Sequence, residues 1–263
     1  MSCTETGPVT YKKAGEGEEF VKAIKDLSAT GGGDCPERAF SGIISALNGG
    51  ARDNSPLFVF TDATANDEDK LDSAKLIALA KSVSVYFFTT GLCGQASYKP
   101  FEELASESCG QMFEIPKRSN DLAKMSNITK SLLHSASCDT GTGGGQSRRK
   151  KRSGGSEYQL PFDDVMEKVI VSVATQNTGA TIDLKDPLGV PVSSGETTLA
   201  KGAIFEIDHP RPGMWNLTVS PEAGKYSYVI KAFSKTNVDF DFVFVIPRKR
   251  MSPLPISHPL TGE

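Results

Sequence analysis

The sequence lacks the residue patterns that mark common enzyme families. Its three histidines, His134, His209 and His258, stand in no His-Glu-x-x-His or other metal-ligand spacing. A Gly-x-Ser-x-Gly nucleophile elbow is absent, and no Gly-Lys-Ser/Thr follows the glycine-rich stretch 139–145. We therefore expect a protein that is not an enzyme.

Long apolar runs and an excess of one charge are also missing. No stretch approaches the roughly 18 apolar residues of a membrane helix, and the hydrophilic start does not have the pattern of a signal peptide. A formal net charge of −3 argues against a general affinity for nucleic acid. With 263 residues, 38% of them hydrophobic, the chain can bury one or two ordinary cores. We expect two soluble domains without a membrane span or a nucleic-acid partner.

The first half of the chain alternates helices and strands. The hydrophobic pattern predicts helices over 18–27, 36–48, 68–81, 97–108 and 119–136, and strands over 57–61, 83–89 and 111–115. Pro36 is expected at the first position of its helix. Strands that alternate with helices of this length indicate βαβ units and a parallel sheet.

Acidic side chains lie on two loops that flank this sheet. Asp34 and Glu37 open the second helix, and Asp62 directly follows a strand apolar enough to be covered on both faces. Loops at the carboxyl ends of parallel strands converge on one crevice of a sheet. Carboxylates in such a crevice suit a hard divalent cation.

The segments Gly-Gly-Gly-Asp-Cys-Pro-Glu at 31–37 and Phe-Thr-Asp-Ala at 60–63 are separated by one amphipathic helix. This pairing resembles the von Willebrand factor A domain of the hemicentins and, more loosely, the integrin β I-like domain. The resemblance extends from about Gly7 to Arg250. It implies a Rossmann-like parallel sheet and a metal-ion-dependent adhesion site for Mg²⁺ or Ca²⁺. Glu37 and Asp62 would bind the cation there, and Asp34 would support the loop.

One element of that adhesion site has no counterpart in the chain. The family pattern includes an Asp-x-Ser-x-Ser loop after the first strand, whereas the near-match at Asp26–Thr30 ends a predicted helix and is interpreted as a coincidence. We therefore expect an N-terminally truncated A-like domain at 7–137 that lacks its first strand and helix. Its incomplete site should bind a cation weakly or not at all.

The five cysteines suggest one disulfide. Cys35 lies on the acidic loop and Cys93 follows the strand 85–90, so both belong to the same rim of the sheet. A bond between them would fasten two loops of the site. Free thiols at both positions are the alternative. For Cys3, Cys109 and Cys138 the sequence indicates no partner.

Residues 138–157 are predicted to form a linker. They contain the glycine-rich stretch and Arg148–Arg152, a run of five like charges. Three interpretations stay open: a solvated linker, a nuclear localisation signal, and a proprotein-convertase site with cleavage after Arg152. We expect the flanking domains to pack independently, so cleavage would release an A-like fragment ending at Arg152 from a β-sandwich fragment beginning at Ser153, unless an interdomain disulfide or a large interface keeps them together.

The helical period disappears from Tyr158 onward. Short apolar strands separated by turn signals predict an antiparallel β-sandwich over 158–247, followed by a proline-rich tail at 248–263. Pro212–Trp215 and the strands around it resemble the galactose-binding-like β-sandwich that follows the A domain in hemicentins. Trp215 is interpreted as a core anchor rather than a sugar-stacking residue, because Leu217 and Val219 share its face.

The resemblance implies an extracellular, secreted protein. Its function would be adhesion or scaffolding in the extracellular matrix, with protein ligands of the matrix or the cell surface. Sequons at Asn127 and Asn216 lie on outward faces and would make it a glycoprotein. Two alternatives remain: a metal-independent structural matrix module, and an intracellular nuclear scaffold that uses the basic run.

Overall fold

The computed structural model describes residues 9–28, 36–91, 97–117, 120–133, 137–143, 156–234, 244–246 and 254–256. An α/β domain (residues 9–133) precedes a β-sandwich (residues 137–234), which confirms the predicted fold class. The helices are α1 Gly17–Lys25, α2 Ala39–Asn48, α3 Leu71–Ala80, α4 Lys99–Glu107 and α5 Met125–Leu132. Strands of the α/β domain are β1 Pro56–Thr61, β2 Ser84–Thr89 and β3 Met112–Glu114.

The three strands of the α/β domain form a parallel sheet in the order β1-β2-β3. Helices α2, α3 and α4 cover one face through a shared apolar cluster that includes Phe40, Phe87 and Phe101. Three predicted helices differ from the structure. The helix predicted over 68–81 begins as a 3-10 segment, Glu68–Lys70, and continues as α3. The helix α2 begins at Ala39 rather than at Pro36, and the helix predicted over 119–136 consists of a 3-10 segment, Asn120–Lys124, followed by α5.

The remaining strands are antiparallel, and most form two stacked sheets. They are β4 Ser137–Gly143, β5 Ser156–Phe162, β6 Met166–Thr175, β7 Ile182–Lys185, β8 Glu196–Leu199, β9 Gly202–Asp208, β10 Gly213–Val219, β11 Tyr226–Ser234, β12 Phe244–Ile246 and β13 Leu254–Ile256. One sheet has the order β5-β10-β7, the other β4-β11-β6-β9-β8, and β12 pairs with β13. Trp215 is buried between the sheets at 4% exposure, which confirms its role as a core anchor.

Two strands lie where the sequence predicted irregular chain. The strand β4 occupies the start of the predicted linker and pairs along its whole length with β11, and β13 lies in the predicted tail. Glycine and threonine in β4 supply little apolar surface. However, strand pairing uses backbone groups, which every residue of this strand has.

The five-stranded sheet is covered on both faces. Val169, Val171 and Val173 of β6 face the sandwich core, whereas Ile170 and Ala174 face the α/β domain. There they join a cluster that we call the joint, composed of Tyr86, Phe88, Phe113, Ile115, Ile128, Leu132, Ile170, Ala174, Leu199 and Ile204. The expectation of independently packed domains is therefore wrong, because both domains contribute to one apolar core.

Polar side chains add specific contacts across the joint. Ser172 Oγ donates to Gln111 Oε1 at 2.6 Å, and Gln111 Nε2 donates to the Ser227 carbonyl oxygen at 3.0 Å. Asp121 Oδ2 accepts a hydrogen bond from the Ala200 amide at 2.8 Å. These contacts fix the relative position of the two domains, since a buried polar group that loses its partner is costly.

Candidate functional site

Two loops meet at the carboxyl edge of the parallel sheet, the edge at which Thr61, Thr89 and Glu114 end β1, β2 and β3. Glu37 forms an isolated parallel bridge with Ala65. Its amide donates to the Thr64 carbonyl oxygen at 2.8 Å, and its own carbonyl oxygen accepts from the Asn66 amide at 2.7 Å. The structure thus brings the loop that carries Glu37 against the loop that carries Asp62, as the sequence predicted.

The two predicted carboxylates differ in exposure. Asp62 is exposed directly after β1, and Glu37 is half-buried between its loop and α2. Asp62 is therefore free to approach a ligand in solvent, whereas the backbone bonds around Glu37 hold that residue in place. Asp34 lies outside the residues that the structure describes.

A third carboxylate at this edge, which sequence reasoning missed, supports α2. Asp67 is 5% exposed; its Oδ1 accepts from the Phe40 amide at 3.1 Å, and its Oδ2 accepts from the Ser41 amide at 2.7 Å. Amides in the first turn of a helix have no partner within the helix, and an acidic group there also matches the helix dipole. Asp67 therefore acts as a cap contributed from another loop, and both of its oxygens are already in use.

Buried hydroxyl groups line the same edge. Three hydroxyl oxygens are buried here: Thr64 Oγ1, Thr89 Oγ1 and that of Tyr98. None of them has a partner at hydrogen-bonding distance and angle within the described part of the chain. Burial raises the pKa of Tyr98, and the charges of Glu114 and Asp62 act in the same direction, although the nearby Thr89 hydroxyl and Gly91 amide oppose the rise. Tyr98 therefore remains a neutral phenol near Asp62.

A lysine also reaches this edge. A β-carbon placed on Gly91 would stand 3.6 Å from Lys117 Nζ and 3.8 Å from the Asp62 carbonyl oxygen. The ammonium group thus lies near the loop on which a cation would be bound. Like charges repel, so an ammonium group at this edge disfavours a divalent cation there. Sequence reasoning missed Lys117 because its proximity to Gly91 depends on the fold.

The described donors do not fit a complete cation shell. Such ions take six or more oxygen ligands, and protein sites usually supply several carboxylates. Among the described residues, no group of three or more His, Cys, Asp or Glu side chains is placed to hold a metal ion. Glu37 and Asp62 supply two carboxylates, and Asp67 is committed to α2. The arrangement is better suited to hydrogen bonds and charge contacts with a ligand than to a closed metal centre.

The other predicted sites are distributed over the chain. Asn127 is exposed on α5, whereas Asn216 is half-buried on β10 with its amide nitrogen bonded to Glu157. Glycosylation of both remains a prediction. Cys35, Cys93 and Arg152 lie outside the described residues, so the Cys35–Cys93 bond and the cleavage site remain predictions as well.

Comparison with known proteins assigns both domains. Residues 4–117 match the von Willebrand factor A domain family, and residues 147–235 match the hemicentin galactose-binding domain-like family. The chain is 30% identical to mouse hemicentin-2 over 247 residues and 28% identical to human hemicentin-1 over 248, which covers 89% and 90% of this chain. Human von Willebrand factor A domain-containing protein 7 is 24% identical over 266 residues, covering 93% of this chain and 28% of that protein.

These matches confirm the resemblance drawn from the residues. The chain is hemicentin-like, with a von Willebrand factor A domain followed by the hemicentin galactose-binding domain-like region. It spans about 4% of the length of each hemicentin. Within the described ranges, no helix is both long and apolar enough to cross a bilayer.

Proposed function

We propose that this chain is an extracellular-matrix adhesion or scaffold module that binds protein ligands through the carboxyl edge of its A domain. Binding there would use hydrogen bonds and charge contacts rather than a tightly held cation. The observation that carries the proposal is the bridge between Glu37 and Ala65, which places an acidic loop beside Asp62 at that edge. The hemicentin-like pair of domains supports a role in the matrix.

The composition of the edge supports binding rather than catalysis. It presents the exposed Asp62 and Lys117 above the buried Tyr98 phenol. Charged groups of both signs around a partly apolar centre are suited to binding the surface of another protein. The same residues support the proposal of a degenerate metal-ion-dependent adhesion site, because two carboxylates near an ammonium group would hold a divalent cation poorly.

Titration calorimetry with Mg²⁺ and Ca²⁺ tests the metal part of the proposal. We expect dissociation constants weaker than about 1 mM, because the described carboxylates fill too little of the shell. Asp62→Asn should change little, and so should Asp53→Asn, a matched control for an exposed aspartate before β1 at the opposite edge. Sub-millimolar binding that Glu37→Ala or Asp62→Asn abolishes would contradict the degenerate site.

Binding to matrix deposited by cultured fibroblasts tests the ligand part. The secreted full chain should adhere in the presence of a chelator, and Asp62→Lys should reduce adhesion several-fold while Asp53→Lys does not. If a chelator abolishes adhesion, ligand binding depends on a metal ion, and this part of the proposal is wrong. Adhesion that neither substitution changes would move the ligand site away from this edge. A nuclear location of an unglycosylated chain would favour the intracellular scaffold instead.

A further inference from the structure

Cys109, for which the sequence indicated no partner, is disulfide-bonded in the structure. We infer that its partner is Cys138, so that a disulfide fastens β4 to the A domain at the joint. The inference rests on where the neighbours of each cysteine lie, and it is independent of the proposed function.

The neighbours of Cys109 place it at the start of β2. Ser108 Oγ accepts a hydrogen bond from the Val85 amide at 3.1 Å. On the other side of Cys109, the Gly110 backbone lies so close to β2 that an added β-carbon would stand 1.8 Å from the Val85 carbonyl oxygen. Cys109 itself has a φ of 55°, a left-handed conformation that turns the chain between these two contacts. It therefore lies at the amino edge of the parallel sheet.

The register of β4 brings Cys138 to the same place. Cys138 pairs with Lys231 of β11. Lys231 Nζ donates to Ser84 Oγ at 3.4 Å and lies 5.1 Å above the Tyr86 ring, so it projects from the five-stranded sheet toward the start of β2. Residues directly opposite each other in an antiparallel pair share one face of the sheet. Position 138 of β4 therefore stands opposite Lys231, whose side chain projects toward the A domain.

A second contact ties the Cys109 segment to β11. Gln111, two residues after Cys109, donates to the Ser227 carbonyl oxygen at 3.0 Å. The segment 109–111 therefore runs beside β11, whose outer neighbour in the sheet is β4. The Gln111 contact therefore places the Cys109 segment beside β11. The Lys231 contact places the part of β11 that pairs with Cys138 beside the start of β2.

Two of the other cysteines stand, in sequence, next to described residues of the opposite edge. Cys35 directly precedes Pro36 and Glu37, and Glu37 bonds to Thr64 beyond the carboxyl end of β1. Cys93 is two residues after Gly91, which lies close to Asp62 and Lys117 at that same edge. The six residues of β2 separate the two edges by about 16 Å, whereas bonded cysteines have Cα atoms within about 7 Å. The described sequence neighbours of Cys35 and Cys93 thus lie at one edge and those of Cys109 at the other, which favours Cys138 as the partner of Cys109.

The bond would change how the joint responds to reduction. Its formation removes two protons and two electrons from the two thiols, which thiol–disulfide exchange passes to a disulfide oxidant of an oxidising compartment. The bond then anchors β4 covalently to the A domain, while the backbone of β4 stays hydrogen-bonded to the β-sandwich. Reduction would free β4 to separate from β11, the only strand with which it pairs in the described part of the sheet.

Peptide mapping of the secreted full chain, alkylated without reduction, tests the pairing. Trypsin with Glu-C protease should yield Ser108–Glu114 linked to Ser131–Arg148, and this linked peptide should disappear after reduction. Glu-C is needed because Cys93 and Cys109 otherwise share one tryptic peptide. Linkage of Cys109 to Cys3, Cys35 or Cys93, or a free Cys109 thiol, would overturn the inference.

Variants provide a second readout. Cys138→Ala should expose one additional thiol to maleimide labelling and lower the melting temperature by roughly 5–10 °C. Cys109→Ala should have the same effect, and the double variant should be no less stable than either single one, because all three lose one bond. Cys35→Ala is the matched control and should leave Cys109 protected. Additive losses, or labelling of Cys109 in the Cys35→Ala chain, would contradict the pairing.

Discussion

Lys231 is a lysine buried where the two domains meet. It is 3% exposed, and its contacts are the Ser84 hydroxyl at 3.4 Å and the Tyr86 ring at 5.1 Å. No ion pair within the described residues involves it. Burial lowers the pKa of Lys231 from 10.5 to about 8, because the charged form has lost most of its water. Lys231 should therefore reduce the stability of the folded chain at neutral pH.

The magnitude of this effect follows from the pKa difference. Below pH 8 the ammonium group is charged in both states, and the folded state bears a cost of about 3 kcal/mol for a pKa lowered to about 8. Between pH 8 and 10.5 the unfolded chain binds more protons than the folded one, so this contribution to the free energy of unfolding rises with pH. Burial raises the pKa of the Tyr86 hydroxyl, which therefore stays neutral in this window.

The substitution Lys231→Met keeps the length of the side chain and removes its charge. It also removes the contacts with Ser84 and Tyr86, which together contribute about 1 kcal/mol. We expect the variant to be more stable by about 2 kcal/mol at pH 7, and by well under 1 kcal/mol at pH 9.5. Urea unfolding at both pH values, analysed by linear extrapolation, measures the difference.

The control is Lys225→Met, which changes an exposed lysine just before β11 and should alter stability little at either pH. A Lys231→Met chain that is less stable than wild type at pH 7 would refute the reasoning. An advantage that stays the same at pH 9.5 would also refute it, because the gain would then come from packing alone.

Two further predictions concern the connection between the domains and the candidate site. Cleavage after Arg152 should leave both fragments in one complex, because β4 stays paired with β11 and the joint remains buried; separate elution in native size-exclusion chromatography would contradict this. Asp67→Ala should lower the free energy of unfolding by about 1–3 kcal/mol, because two amides of α2 lose their acceptor. The exposed Asp69→Ala is its control in urea unfolding, and equal losses would show that the cap does not stabilise the fold.

The sequence predicted the elements whose apolar pattern is local. The strands β1 and β2 were predicted nearly at their observed bounds, since each is a continuous apolar run. The expectation that β1 is covered on both faces is wrong, because Phe60 is 61% exposed, whereas β2 is buried on both faces. The predicted start of α2 was wrong, because a side chain distant in sequence determines where this helix begins. Asp67 caps the amides of Phe40 and Ser41, and the β-bridge to Ala65 holds Glu37 outside the helix.

The candidate site could be predicted from sequence in part. Glu37 and Asp62 were placed at one edge, because the ends of parallel strands converge there. Lys117 and Tyr98 stand in no recognisable sequence spacing from Asp62, so only the folded chain shows that they lie near it. The pairing of β4 with β11 was missed for a related reason: glycine-rich sequence carries no apolar signal, and its partner lies far along the chain.

The joint covers a second apolar face of the A domain. The strand β2 is apolar on both faces; Val85 and Phe87 pack against helices, whereas Tyr86 and Phe88 belong to the joint. Without the β-sandwich, the second face would expose a contiguous apolar surface of the kind that drives aggregation. The β-sandwich also reaches the candidate site, since Lys201 pairs with Glu114 at the carboxyl edge at 2.8 Å. A ligand bound at that edge, as proposed, would therefore lie next to residues of both domains.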